Sequence, residues 1–279
     1  MLAAARQSEI MSHVRRHGIA RVSDLAGVLG VSEMTIRRDI DTLARSALLQ
    51  KVHGGAKVPG TLSTDEPGFE KKSVREEAEK SAIAREALSF VTPGSAIGLS
   101  AGTTTWTLAK SLVQLKGLTI VTNSIQVADV FYRAAAHSTG PRNSVILTGG
   151  ERTPSDALVG PIAISALRQL HLDVLFLGVH GIDERAGFTT PNLLEAETDR
   201  AFAATARSVV VVADHTKWGT VGMSTIAKLS EVDVLVTDEG LSAEAREQLE
   251  ATVPHVRIAA MGLATLQRPH DARSASAAS

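Results

Sequence analysis

The sequence predicts an α/β protein in two parts: an N-terminal winged helix-turn-helix, then a larger domain on a mostly parallel sheet. Three observations carry that expectation. Ser32-Glu33-Met34-Thr35-Ile36-Arg37-Arg38-Asp39-Ile40 reads as a capped recognition helix, and Lys51-Val52-His53-Gly54-Gly55-Ala56 follows as a basic, glycine-tipped hairpin. From about residue 76, short apolar runs alternate with amphipathic stretches. Small and polar residues collect where those apolar runs end.

Within the first 58 residues, Ile10, Met11 and Val14 recur at helical spacing, and Gly18 can end that helix. Ser23 is the expected N-cap of a second helix carrying Leu25, Ala26 and Leu29. Gly30 supplies the turn. Ser32 caps a third helix, in which Ile36, Ile40 and Leu43 fall at i, i+4 and i+7 and face the core. The N-terminal half of this helix is then free to enter a major groove. Thr35 with Arg37 or Arg38 is expected at base edges, since Arg can bond guanine in bidentate fashion. Ser32, Arg38 and Lys51 are expected at phosphates, and Glu33 lies on the same outer face. Two short strands around Gly54-Gly55 would form a wing, with Lys51, His53 and Lys57 near the DNA backbone.

The charge balance agrees. The chain of 279 residues has a net charge of -1, but residues 1–58 hold nine Lys/Arg against five acids, leaving 20 against 25 elsewhere. A basic head on an acidic body suits nucleic-acid binding by the head alone. An apolar fraction of 44% is enough for a real core. The absence of cysteine removes disulfides, thiolate metal sites and cysteine nucleophiles. With neither a signal-peptide pattern nor a long apolar span, the cytoplasm is the expected location, with no membrane partner.

Residues 59–75, with Pro59, Gly60, Pro67 and Gly68 among polar residues, read as a linker. Residues 76–263 read as the second domain, and 264–279 as a disordered tail. Candidate strands are Ala96–Leu99, Leu118–Thr122, Val145–Thr148, Val174–Leu177, Val209–Ala213 and Val232–Thr237; candidate helices lie near 77–91, 104–116, 124–135, 161–170, 193–206 and 242–251. Short, almost wholly apolar strands between helices predict a parallel sheet covered on both faces. Ligands of such sheets bind at the carboxyl ends of the strands.

Those ends carry Ser100 and Gly102-Thr103-Thr104-Thr105, Asn123-Ser124, Gly149-Gly150, His180 with Asp183, and Lys217. A Gly followed by three Thr at a strand-to-helix turn offers backbone N–H groups, hydroxyls and a helix N-terminus, which together suit a phosphate. Asn123 and Ser124 can add donors, and Lys217 a charge. There is neither a Walker motif nor a dinucleotide fingerprint, so no nucleotide cofactor is expected. His180, Asp183 and His215 have no spacing that defines a metal site, and none is expected.

The segment from Arg6 to Ala56 resembles the N-terminal signature of the DeoR family of bacterial transcriptional regulators. The likeness lies in Val22-Ser23-Asp24-Leu25-Ala26, Val31 to Asp39 and His53-Gly54-Gly55-Ala56. It continues through Ser100–Thr105, Thr122-Asn123-Ser124, Leu147–Gly150, Val159-Gly160-Pro161, Phe176–Asp183, Gly187–Arg200 and Ala213–Gly219. The resemblance implies a second domain similar in fold to ribose-5-phosphate isomerase and no catalytic residues. It implies a dimeric or tetrameric repressor of a carbohydrate operon, binding double-stranded operator DNA. A phosphorylated sugar or sugar alcohol would relieve repression, bound at the rim with Glu195 among its contacts. It also implies that Glu66-Pro67-Gly68-Phe69 packs on the body.

Two positions depart from the family pattern. The family usually has Asp where this chain has His180, and Lys where it has Asp199. Losing an acid and a base there weighs against residual isomerase activity and alters the charge of the pocket. Two rival readings follow: a sugar-phosphate isomerase carrying a DNA-binding head, with Asp183, Glu195 or Glu197 as base, and a regulator whose effector is not a sugar phosphate.

Overall fold

The computed structural model describes residues 3–17, 19–46, 48–52, 54–57, 64, 66, 68–136 and 142–261. The expectations for Gly18, His53, Pro67, most of the linker and the tail lie outside the described residues.

The head consists of α1 (Ala3–His17), β1 (Ile19–Arg21), α2 (Val22–Leu29), α3 (Glu33–Arg45), β2 (Gln50–Val52) and β3 (Gly55–Lys57). Ile10, Val14, Leu25, Ile36, Ile40 and Leu43 close one small core. Gly30 ends α2 in the left-handed conformation, φ 63°, and Ser32 caps α3 by accepting the Thr35 N–H at 3.3 Å. The cap of α2 differs from expectation. The helix starts at Val22, and the Ser23 hydroxyl turns to Asp24 instead. The reason is that β1 runs straight into α2, and the Gly54 carbonyl of the wing accepts the Val22 N–H at 2.9 Å. An acceptor from the wing thus satisfies an N–H that a side-chain cap would otherwise serve. The wing itself has three strands, in the order β1-β3-β2, where two were expected.

The body continues with α4 (Phe69–Ser73), α5 (Glu77–Ala87), β4 (Ala96–Leu99), α6 (Thr103–Leu112), β5 (Thr119–Thr122), α7 (Ile125–Ala136), β6 (Ser144–Leu147), β7 (Glu151–Arg152), β8 (Leu158–Val159), α8 (Pro161–Leu167), β9 (Val174–Gly178), β10 (Gly181–Asp183), β11 (Gly187–Thr190), α9 (Leu193–Ala203), β12 (Val209–Val212), β13 (Ser224–Ala227), β14 (Val234–Asp238), α10 (Ala243–Glu250) and β15 (His255–Ala259). Seven strands form one parallel sheet in the order β15-β14-β12-β9-β4-β5-β6. One core, with α5, α6 and α7, covers one face; a second, with α8, α9 and α10, covers the other. This burial on both faces is why strands such as Val209–Val212 are apolar at every position. A small antiparallel sheet, β10-β11-β13, and the ribbon β7-β8 are added at the carboxyl end.

From β4 the chain builds β5 and β6 to one side, then returns to place β9, β12, β14 and β15 on the other. The switch point of this topology lies between β4 and β9, where ligand crevices of open α/β sheets form.

Candidate nucleic-acid interface and effector site

Burial of Ile36, Ile40 and Leu43 turns the other side of α3 outward. Glu33, Met34, Arg37 and Arg38 are exposed there. Arg37 pairs with Glu33 at 2.8 Å, one helical turn away, and Lys51 pairs with Asp41 at 2.5 Å. Both are surface pairs, worth little enough for a phosphate or base edge to replace them. Arg6 is different: it bonds the buried Asp39 at 2.5 Å and fastens α1 to α3. Met34, 65% exposed, was not anticipated as a contact; on this face it can lie against a thymine methyl. The sequence offered a signal, an apolar residue at the second position of the recognition helix.

Gly55 requires a correction. It is buried, and a Cβ there would stand 2.2 Å from the Ala20 carbonyl oxygen. Its role is to let β1 approach β3, so it is not positioned to touch DNA. Gly54 is exposed at the tip of the wing with φ 76°.

At the switch point, Ser100 Oγ accepts the Gly178 N–H at 2.9 Å, joining the ends of β4 and β9. Asn123 Oδ1 accepts the Ala101 N–H at 2.9 Å, and Asn123 Nδ2 donates to the Leu158 carbonyl at 3.3 Å. Thr105 Oγ1 donates to the carbonyls of Ser100 and Gly102, and Ser124 Oγ accepts the Val127 N–H at the start of α7. These four side chains hold the cradle in shape; Thr105 spends its hydroxyl proton on it, whereas Ser100 and Ser124 take part as acceptors. The N-terminal turn of α6, with Thr103 and Thr104, adds N–H groups that have no acceptor within the helix. Gly149 and Gly150 lead into the β7-β8 ribbon; Gly150 is required because a Cβ would meet the Val159 carbonyl oxygen at 2.5 Å.

The ribbon brings in residues that sequence reasoning missed. Its turn includes Asp156 at φ 62°, one of two non-glycine residues with positive φ among the described residues; the other is Glu76, before α5. This turn presents Thr153 and Ser155. Thr153 Oγ1 and Thr190 Oγ1 each donate to a Glu195 carboxylate oxygen at 2.9 Å. Lys72 Nζ donates to Ser155 Oγ at 2.8 Å. Lys80, buried in α5, donates to the carbonyls of Lys72 and Arg75. No periodic or motif signal marks these residues, because a loop and a segment remote in sequence bring them together.

The electrostatics follow from burial and charge. Burial lowers Lys72, and the Lys217 ammonium adds to this, while Glu195 and Glu66 oppose it. Burial and Lys217 lower Lys80 as well. Burial, then the Glu66 carboxylate, push Glu195 up against the hydrogen bonds from Thr153 and Thr190 and the charge of Lys72. Asp199 is buried one turn further along α9; burial and Glu195 raise it well above the usual carboxylate range. His215 Nδ1 and Asp238 Oδ2 lie 2.7 Å apart.

Asp183 does not join this cluster through a side-chain bond. Its Oδ1 accepts the N–H groups of Arg185 and Ala186 at 2.9 Å and stabilises the β10-β11 turn, a correction to its expected place in the site. His180 is partly buried and bonds the Thr189 carbonyl through its backbone N–H at 3.0 Å. A concavity of about 670 Å³, with Arg168, His171, Glu197 and Arg200 in its lining, lies at the amino end of the strands, away from this chemistry. Among the described residues no cluster of His, Cys, Asp and Glu is arranged to hold a metal, and no helix is long and apolar enough to cross a membrane.

Residues 6–61 match the DeoR-like helix-turn-helix domain, and residues 75–239 match the DeoR C terminal sensor domain. The chain belongs to the DeoR family. It is a DNA-binding transcriptional regulator. Full-length relatives agree. The chain is 36% identical to the HTH-type transcriptional regulator GlpR of Haloferax volcanii over 90% of this chain and 96% of that one. It is 31% identical to the HTH-type transcriptional repressor CsqR of Escherichia coli K12, over 88% and 91%. The transcriptional repressor AccR of Agrobacterium fabrum is 32% identical over 84% and 89%. Among solved structures, ribose 5-phosphate isomerase A from Neisseria gonorrhoeae aligns with a TM-score of 0.37 and 16% identity, over 53% of this chain and 56% of that one.

Proposed function

We propose that this DeoR-family protein represses a carbohydrate operon and that a phosphorylated sugar or sugar alcohol relieves repression. The observation that carries the effector reading is the bond from Lys72 Nζ to the Ser155 hydroxyl of the ribbon, at a place where the Lys217 charge also acts. Ammonium groups suit a dianion, while Glu195 and its two threonines suit sugar hydroxyls. CsqR and AccR, both named as repressors, support the sign of regulation. The operator is bound by two or more copies, because one head reads one half-site. The effector favours the state with weaker operator affinity, and a coupling of about 1–3 kcal/mol changes that affinity by about 5–150-fold.

The test is thermal stabilisation of the purified protein by a panel of sugar phosphates, with the parent sugars as controls. A ligand at about 100 times its Kd adds about 2.7 kcal/mol of stability. A shift with one phosphorylated compound, and none with its parent sugar, is expected. No shift across the panel would remove the sugar-phosphate reading.

One observation favours a second reading. Glu195 is a carboxyl with an upward-shifted pKa beside Lys72, a pair suited to proton transfer next to a carbonyl. Turnover of ribose 5-phosphate by the purified protein would establish it.

A further inference from the structure

Glu66, just ahead of α4, reaches the β7-β8 ribbon and the residue that caps α9. Its Oε1 accepts the Ser155 hydroxyl at 2.8 Å, and its Oε2 accepts from Asn192 Nδ2 at 3.2 Å. Ser155 is the same hydroxyl that accepts from Lys72. Three residues further on, Phe69 is buried edge-on against Trp106, with ring centroids 5.5 Å apart. Trp106 belongs to the first turns of α6, the helix whose N-terminus forms the cradle.

We propose that Glu66 is a tethered competitor of the effector: its carboxylate occupies an anion position at the rim, and a bound phosphate displaces it and loosens the Phe69 segment from Trp106. The inference rests on the reading of this rim as the effector site. Glu66 accepts from a hydroxyl and an amide, and the Lys72 ammonium bonds that same hydroxyl; all three are donors that suit a phosphate. A carboxylate presents two oxygens to them, whereas a phosphate presents three and carries a larger charge toward Lys72 and Lys217. Because Glu66 precedes Phe69 on one short segment, losing its two bonds loosens the packing on Trp106.

Trp106 and Trp218 are the two tryptophans of the chain, so in full-length protein carrying Trp218→Phe the emission of Trp106 reports the segment. Into this background we would place Glu66→Ala and, as an isosteric variant that keeps the fold, Glu66→Gln. Each is titrated with inorganic phosphate, ribose 5-phosphate and unphosphorylated ribose. Binding is read by thermal shift and segment release by Trp106 emission. Ligand-free Glu66→Ala should already show the emission that the parent reaches only at saturating phosphate or sugar phosphate. It should also bind the anion more tightly, by roughly tenfold if the docked segment makes up roughly nine-tenths of the free parent protein. Glu66→Gln should fall between the two. Weaker anion binding by Glu66→Ala would make Glu66 an effector contact and overturn the proposal. Equal affinity with unchanged emission would overturn it too. If inorganic phosphate releases the segment but no sugar phosphate binds, the competitor stands and the sugar-phosphate reading falls. If no anion binds to either protein, both fall.

Discussion

A methyl group on Gly55 would press on the backbone of Ala20, which belongs to a strand 35 residues earlier. Neither backbone can yield without separating β1 from β3. Gly55→Ala should therefore destabilise the head by about 1–3 kcal/mol, the usual cost of overpacking, and weaken binding to every DNA sequence alike. Thermal unfolding together with binding to two unrelated duplexes checks this; a loss confined to one duplex would give Gly55 a direct part in reading sequence. From the sequence, Gly55 was indistinguishable from the exposed Gly54, because β1 is only three residues long and carries no periodic signal. Asp199 shows the opposite case, where the departure was visible in the sequence and its physical meaning was not. Buried beside Glu195, it has a folded-state pKa well above the usual range. In the unfolded chain it loses its proton at about pH 3.9. Between those two values the native state holds more protons, so stability falls as the pH rises. Asp199→Asn removes that dependence. It should melt higher than the parent at pH 7 and match it near pH 4. A lower melting temperature for Asn at pH 7 than at pH 4, relative to the parent, would show that the ionised form is held instead.

Among whole elements, the strands buried on both faces were the legible ones. The expected runs at Ala96–Leu99 and Val209–Ala213 coincide with β4 and β12 to within a residue, because burial on both faces leaves a continuous apolar signature. Strand β15 was missed: it is an edge strand, and His255, Arg257 and their neighbours are largely outside the core. The β10-β11-β13 sheet was missed because its strands are only three or four residues long and begin at or just after Gly181, Gly187 and Gly222. Gly181 and Gly222 are demanded by backbone contacts closer than 2.5 Å to any Cβ. At the carboxyl end of β14, Asp238 accepts the His215 N–H at 2.8 Å and lies 2.7 Å from His215 Nδ1, tying β14 to the turn after β12. Burial pushes its carboxyl up, but the hydrogen bonds and charge of His215, with the Gly240 N–H, bring it below the usual range. A depressed carboxyl stabilises the fold above its unfolded pKa, and that contribution is lost as the pH falls through the folded value. Asp238→Asn should lower the melting temperature at pH 7 and flatten its decline below about pH 4. Unaltered acid denaturation would assign that limb to other carboxylates.

Across the whole molecule, charge is divided by function, but the count of basic residues in the head overstates what DNA meets. Arg6 is committed to Asp39 inside the fold, whereas Arg37 and Lys51 are held only by exposed partners. Lys51 stands on the wing strand β2, beside the recognition helix, and its pair with Asp41 is easily exchanged for a phosphate. Neutralising a phosphate releases counterions, so on duplex DNA each phosphate that a variant leaves free lowers the slope of log K against log salt by about 0.9. Lys51→Ala frees one phosphate at every engaged head. If two heads bind the operator together, the slope should lessen by about 1.8; one engaged head gives about 0.9. Binding isotherms at several salt concentrations, on a duplex defined by footprinting, therefore count the heads and test the wing in a single series. An unchanged slope would take Lys51 off the DNA and leave the recognition helix to hold the duplex alone.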